Sequence, residues 1–63
     1  MIEQREIARK LKVERMENND FDYSDISDML GIKIGSLYNF LNGQYNLSQS
    51  KAKMLRDWLS DRE

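Results

Sequence analysis

The chain has no cysteine, no histidine and no proline, and only three glycines among its 63 residues. Without cysteine there is no disulfide framework and no thiolate metal site, and without histidine the commonest general base and metal ligand is missing. Catalysis is therefore disfavoured, and neither a cofactor nor a small-molecule substrate is expected. No apolar run approaches the roughly 20 residues that span a bilayer, and no charged-then-apolar leader opens the sequence, so the expectation is a soluble, cytoplasmic protein without membrane contact. Length sets a further limit. A chain of this size is one domain, residues 1–63, and buries only about 60% of the surface its unfolded form exposes. It has room for one small core, and its function must sit on its surface.

What is present points to helices. Charged residues make up 33% of the chain, helix formers recur at spacings of three and four, and no proline interrupts them. The expected fold is an all-α bundle of four, or at most five, helices. The net charge of −1 argues by itself against nucleic acid, because neutralising phosphates takes lysine and arginine. The distribution says otherwise. Residues 17–28 hold Glu17, Asp20, Asp22, Asp25 and Asp28 and no base, whereas residues 29–56 hold Lys33, Lys51, Lys53 and Arg56 and no acid. A partner responds to the local field within a Debye length of about 10 Å, so such a two-sided chain can orient on an anion at near-zero net charge.

The first helix is expected from about Glu3 to Asn18, where Asn18-Asn19-Asp20 supplies turn chemistry. Ile7, Ala8 and Leu11 share one of its faces, while Ile2, Val13 and Met16 lie nearly opposite, either wrapping the core or meeting another subunit. The second helix starts at Asp22 as N-cap, with Phe21 before it, and buries Tyr23, Ile26, Met29 and Leu30. Ser27 is small enough to let the next helix approach, and Gly31 suits a left-handed helix end. The third helix runs from Lys33 or Ile34 to Leu41 or Asn42, with Ile34, Leu37, Phe40 and Leu41 buried. Gly35, Ser36, Tyr38, Asn39 and Asn42 form its outer arc. The fourth runs from the N-cap Ser48 to about Leu59, with Ala52, Leu55 and Leu59 inward and Met54 and Trp58 as an i, i+4 pair on a flank.

Residues 22–43 thus form two short amphipathic helices joined by a tight turn, a unit that leaves its second helix projecting. The segment Ile26 to Gly43, and in particular Gly31-Ile32 followed by Ser36-Leu37-Tyr38 and Phe40-Leu41-Asn42-Gly43, resembles the helix-turn-helix of phage repressors of the lambda repressor/Cro type. The match covers about a third of the chain. Ile7, Leu11 and Arg15 fit the first helix of that type. A 20-residue leader before the motif disfavours the lac repressor type. Three departures stand out. Ser27 replaces the usual alanine. Leu41 replaces a glutamate that commonly pairs with the arginine matched by Arg15, and Tyr23 stands where a phosphate-binding glutamine is common.

The resemblance implies a DNA-binding transcriptional regulator that reads the major groove of double-stranded DNA with helix 33–42. Asn39 and Asn42 would make paired contacts to adenine, and Tyr38 would meet a sugar, a thymine methyl or a phosphate. Lys33 would sit where the helix N-terminus meets the groove. Tyr23, Ile34, Gly35, Ser36 and Gln44 complete the expected DNA-binding set, with Tyr45 and the charges of Lys51 and Lys53 nearby. One reading helix makes few contacts, so a homodimer on a palindromic site is expected. The surplus apolar residues Ile2, Val13, Met16, Met54 and Trp58 are candidates for its interface, although Trp58 taken alone suits a core-closing role. A rival reading is an interaction protein or inhibitor that binds a host protein through the acidic second helix. Asp20, Asp22 and Ser24 imitate the start of a calcium loop, but Asp25 and Gly31 occupy the positions that need glycine and glutamate, and no metal site is expected.

Overall fold

A computed structural model describes residues 3–62. These form four helices, α1 (Gln4–Glu17), α2 (Tyr23–Leu30), α3 (Ile34–Leu41) and α4 (Gln49–Asp61), with no strand among the described residues. Helices α1 and α2 each pack on both α3 and α4. Glu3 caps α1, its carboxylate accepting from the Arg5 N–H at 2.8 Å. Ser48 caps α4, its hydroxyl accepting from the Lys51 N–H at 3.3 Å. The acid at the head of α1 also suits the positive end of the helix macrodipole.

One stripe of each helix closes the core. Ile7, Ala8 and Leu11 of α1, Ile26 and Leu30 of α2, Leu37, Phe40 and Leu41 of α3, and Ala52, Leu55 and Leu59 of α4 are all buried, together with Phe21 and Leu47 from the connections. Ser27 is the one polar residue in this company, and its hydroxyl donates to the Ser24 carbonyl at 2.9 Å, so the small side chain is buried without an unmet hydrogen bond. Tyr23 and Met29, expected inside, are half-buried at its margin. Ile34 departs further from expectation. It is 38% exposed, and its neighbours Lys33 and Gly35 are exposed too, so the first turn of α3 is left uncovered while Leu37 and Phe40 are fully buried. Helix α4 runs two residues beyond the expected Leu59.

That extension has a structural use. Arg62, just past α4, donates through Nη2 to both Asp20 carboxylate oxygens, at 2.7 and 3.0 Å. Its Nε lies 3.6 Å from Glu14 Oε2. The guanidinium lies over the rings of Phe21 and Trp58, 5.0 and 4.7 Å from their centroids. The two rings meet edge to face at 4.9 Å. Trp58 is thus half-buried against Phe21 and Arg62 and closes the bundle, the packing expected of a core-closing tryptophan. Among the other residues expected at such a contact, Val13, Met16 and Met54 are exposed, and Ile2 lies outside the described residues.

Two predictions follow from this packing. Leu11 is fully buried, and Leu11→Ala should cost about 2–5 kcal/mol against a total stability of about 3–9 kcal/mol for a chain of this length. Thermal unfolding followed by circular dichroism should show a large fall in midpoint. Asp20 has its carboxyl held below the usual value of 3.8, chiefly by the hydrogen bond from Arg62. A depressed carboxyl contributes stability that is complete above pH 3.8 and lost as pH falls through the folded value. Asp20→Asn should lower stability at neutral pH and flatten the acid limb of the stability profile below about pH 4.

Candidate nucleic-acid interface

The turn between α2 and α3 follows from two hydrogen bonds and one left-handed residue. Gly31 has φ +69°, a conformation that costs an L side chain energy. Its N–H donates to the Asp28 carbonyl at 3.2 Å, and the Ile32 N–H donates to the Ser27 carbonyl at 3.0 Å. This pairing is a Schellman motif, which satisfies the last carbonyls of α2 and turns the chain sharply. The same device ends α3. Gly43 has φ +85°, its N–H donates to the Phe40 carbonyl at 3.2 Å, and the Gln44 N–H donates to the Asn39 carbonyl at 2.8 Å. An eight-residue helix is thus held between two glycine turns.

Helix α1 braces the far end of α3. The Arg5 guanidinium donates to the Phe40 carbonyl and lies 5.5 Å from the Phe40 ring centroid. Gln4 grips the following loop in both directions. Its Nε2 donates to the Leu47 carbonyl at 3.1 Å, and its Oε1 accepts from the Leu47 N–H at 3.0 Å. Neither residue belongs to the set expected from the sequence. A signal was present, since Gln4 stands four residues before Ala8, on the same stripe as the buried face of α1.

Of the expected set, the structure brings Lys33, Ile34, Gly35, Tyr38, Asn39 and Asn42 to the exposed surface of one helix, with Gln44 exposed just beyond its end. Tyr38 is 48% exposed and meets Tyr23 edge to face at 6.0 Å, which joins the start of α2 to the middle of this surface. Partial burial pushes the Tyr23 phenol above its ordinary value, with Arg15 opposing, so the hydroxyl remains a donor throughout the neutral range. Ser36 falls to the side and is half-buried. Lys51 and Lys53 reside on α4, and Tyr45 is exposed in the loop before it.

The acids of α2 are partly occupied. Asp25 Oδ2 accepts from the Asp22 N–H at 2.8 Å as one half of a capping box, and Asp22 Oδ1 lies 3.1 Å from Arg15 Nη2. Arg15 also donates to the Asn18 carbonyl at 3.3 Å. With Leu41 buried in the core, this arginine turns to the acidic N-terminus of α2 and softens the negative field beside Tyr23. Asp28 is exposed and makes no ion pair among the described residues.

Gly35 differs from the other two glycines. It lies within α3, and a Cβ added to it would meet no neighbouring group within 4 Å. A helical glycine is less favourable than alanine by about 0.5–1 kcal/mol, and no packing among the described residues asks for it. Set against models of protein families, curated proteins and solved structures, the chain matches none. Among the described residues, no helix is long and apolar enough to cross a membrane, and no three acidic side chains gather as a metal site would need.

Gly31→Ala should destabilise by at least about 1 kcal/mol, since the new side chain must hold φ +69°. Gly43→Ala should cost more, because its Cβ would also stand 3.0 Å from Arg5 Nη1. Urea unfolding of the two variants checks the order.

Proposed function

We propose that the chain is a sequence-specific DNA-binding protein, a transcriptional regulator of the repressor kind, which places α3 in the major groove of double-stranded DNA. The observation that carries this reading is the outer surface of α3 itself: an exposed amide- and hydroxyl-bearing helix, free of acid, in which Gly35 has no packing reason to be glycine. An external backbone that must come close supplies such a reason. Asn39 and Asn42 match the paired donor and acceptor edge of adenine, and Ile34 and Tyr38 offer apolar contact to a thymine methyl. Lys33 and the first N–H groups of α3 suit a phosphate. Tyr23 adds a protonated hydroxyl donor at the side of the same surface.

Retention of DNA from upstream of the chain's own gene in a gel-shift assay tests the reading. Asn39→Ala should weaken specific binding by about 1–3 kcal/mol and relax base preference at one position. Lys33→Ala should weaken binding evenly across sequences and reduce the logarithmic salt slope by about one. Gly35→Ala should raise the unfolding midpoint while lowering affinity. If no fragment is retained, or if these substitutions leave retention untouched, the regulator reading fails.

Asp28, exposed and without an ion pair among the described residues, favours a second reading, in which α2 binds a basic surface of a host protein. Asp28→Lys leaves the Asp22–Asp25 cap intact, and loss of a protein partner without loss of DNA binding would select it.

A further inference from the structure

Helix α1 sorts its charges by side. At 3.6 residues per turn, Glu6, Glu14 and Glu17 fall within an arc of about 80°, whereas Arg5, Arg9, Lys12 and Arg15 fall within about 120° on the other flank. Ile7, Ala8 and Leu11 occupy the core side between them. Lys10 alone of the bases lies among the acids, and it pairs with Glu6 at 3.6 Å. The acidic flank turns to α4, where Glu14 meets Arg62. The basic flank meets the α2–α3 unit at both of its ends. Arg5 donates to the Phe40 carbonyl at the end of α3, and Arg15 pairs with Asp22 at the head of α2 and acts on the neighbouring Tyr23 phenol. Between these anchors Lys12 is exposed, about 10 Å along the helix from Arg5. Arg9 is exposed at the outer margin, where it also borders a groove toward Leu59. Arg5, Arg9 and Lys12 make no ion pair among the described residues.

We propose that this flank of α1 is a phosphate track, on which Arg5 and Lys12 bind the backbone of the duplex whose major groove takes α3. The assignment rests on the DNA-binding reading and extends its footprint to a helix outside the α2–α3 unit. Arg5 suits the role by its anchoring. A guanidinium carries five N–H donors in a planar fork, and the Phe40 carbonyl holds the group beside Gly43 while engaging only one side of it. Lys12 adds a point charge on a flexible stem, which adapts to a phosphate without demanding its exact position. The sorting of charge also explains how a chain of net charge −1 can hold a polyanion. The glutamates of α1 are kept on the side toward α4, so a duplex lying against α2 and α3 meets only bases from α1.

Binding of the full chain to a duplex from upstream of its own gene and to a random-sequence duplex, followed by fluorescence anisotropy from about 50 to about 300 mM salt, tests this. Lys12→Gln should lower the logarithmic salt slope by about 0.9, a loss of about tenfold in affinity at the low end and about threefold at the high end. Arg5→Gln, whose amide can still donate to the Phe40 carbonyl, should act alike. Neither should change the ratio of affinities for the two duplexes, because phosphate contacts carry no sequence information. Lys10→Gln removes the same charge from the acidic flank and should move the slope by less than about 0.3. Lys10 and Lys12 are both exposed, so the thermal midpoints of their variants should stay near that of the parent chain. A slope that Lys12→Gln leaves unchanged, or that Lys10→Gln lowers equally, overturns the track, and preference for the upstream duplex would still uphold reading by α3. Equal affinity for the two duplexes, with the Lys12 effect intact, upholds the track and overturns sequence-specific reading. A chain that binds neither duplex at about 50 mM salt overturns both.

Discussion

Gly31 in its left-handed conformation is the constraint on which the rest of the molecule turns. Two Schellman hydrogen bonds and a three-residue connection fix how α3 leaves α2. Once that angle is set, Leu37, Phe40 and Leu41 must enter the core together, and the opposite side of α3 has to face outward. A chain of 63 residues cannot bury both sides of its helices, so the outward side is chemically available. The same left-handed device at Gly43 limits α3 to eight residues, and the brace from Arg5 and Gln4 ties that end to the head of α1.

Electrostatics divides the molecule into neighbourhoods with different jobs. The acids at the start of α2 are engaged at the surface, Asp25 in a cap and Asp22 with Arg15. Asp20 and Glu14 are held by Arg62, whose guanidinium lies over two aromatic rings. The field beside α3 is consequently less negative than a count of acids in residues 17–28 suggests. Arg62 acts both by stacking on the two rings and by pairing with Asp20 and Glu14.

Much of the fold was legible from periodicity. The stripes Ile7, Ala8 and Leu11, and Ala52, Leu55 and Leu59, follow from apolar spacing, and the helix ends at Gly31 and Gly43 follow from turn chemistry. The outer arc of α3 was legible for the same reason: once Leu37 and Phe40 are inside, Tyr38 and Asn39 are outside. Ile34 was misread because spacing gives an angle around a helix but not whether a neighbour reaches that far along it. Arg5, Gln4 and Arg62 escaped notice because their partners lie 35, 43 and 42 residues away. No local pattern encodes such pairings.

The sequence by itself determined four amphipathic helices, the turn residues between them and an acid-free stretch containing the third, since these depend on composition and local stereochemistry. Tertiary structure alone decided which surplus apolar groups stay outside. Trp58 is packed against the bundle by Phe21 and Arg62, whereas Val13 and Met16 are left exposed on α1. The physical reason is that burial is a property of neighbours, and in so small a bundle each helix has partners for only one of its faces.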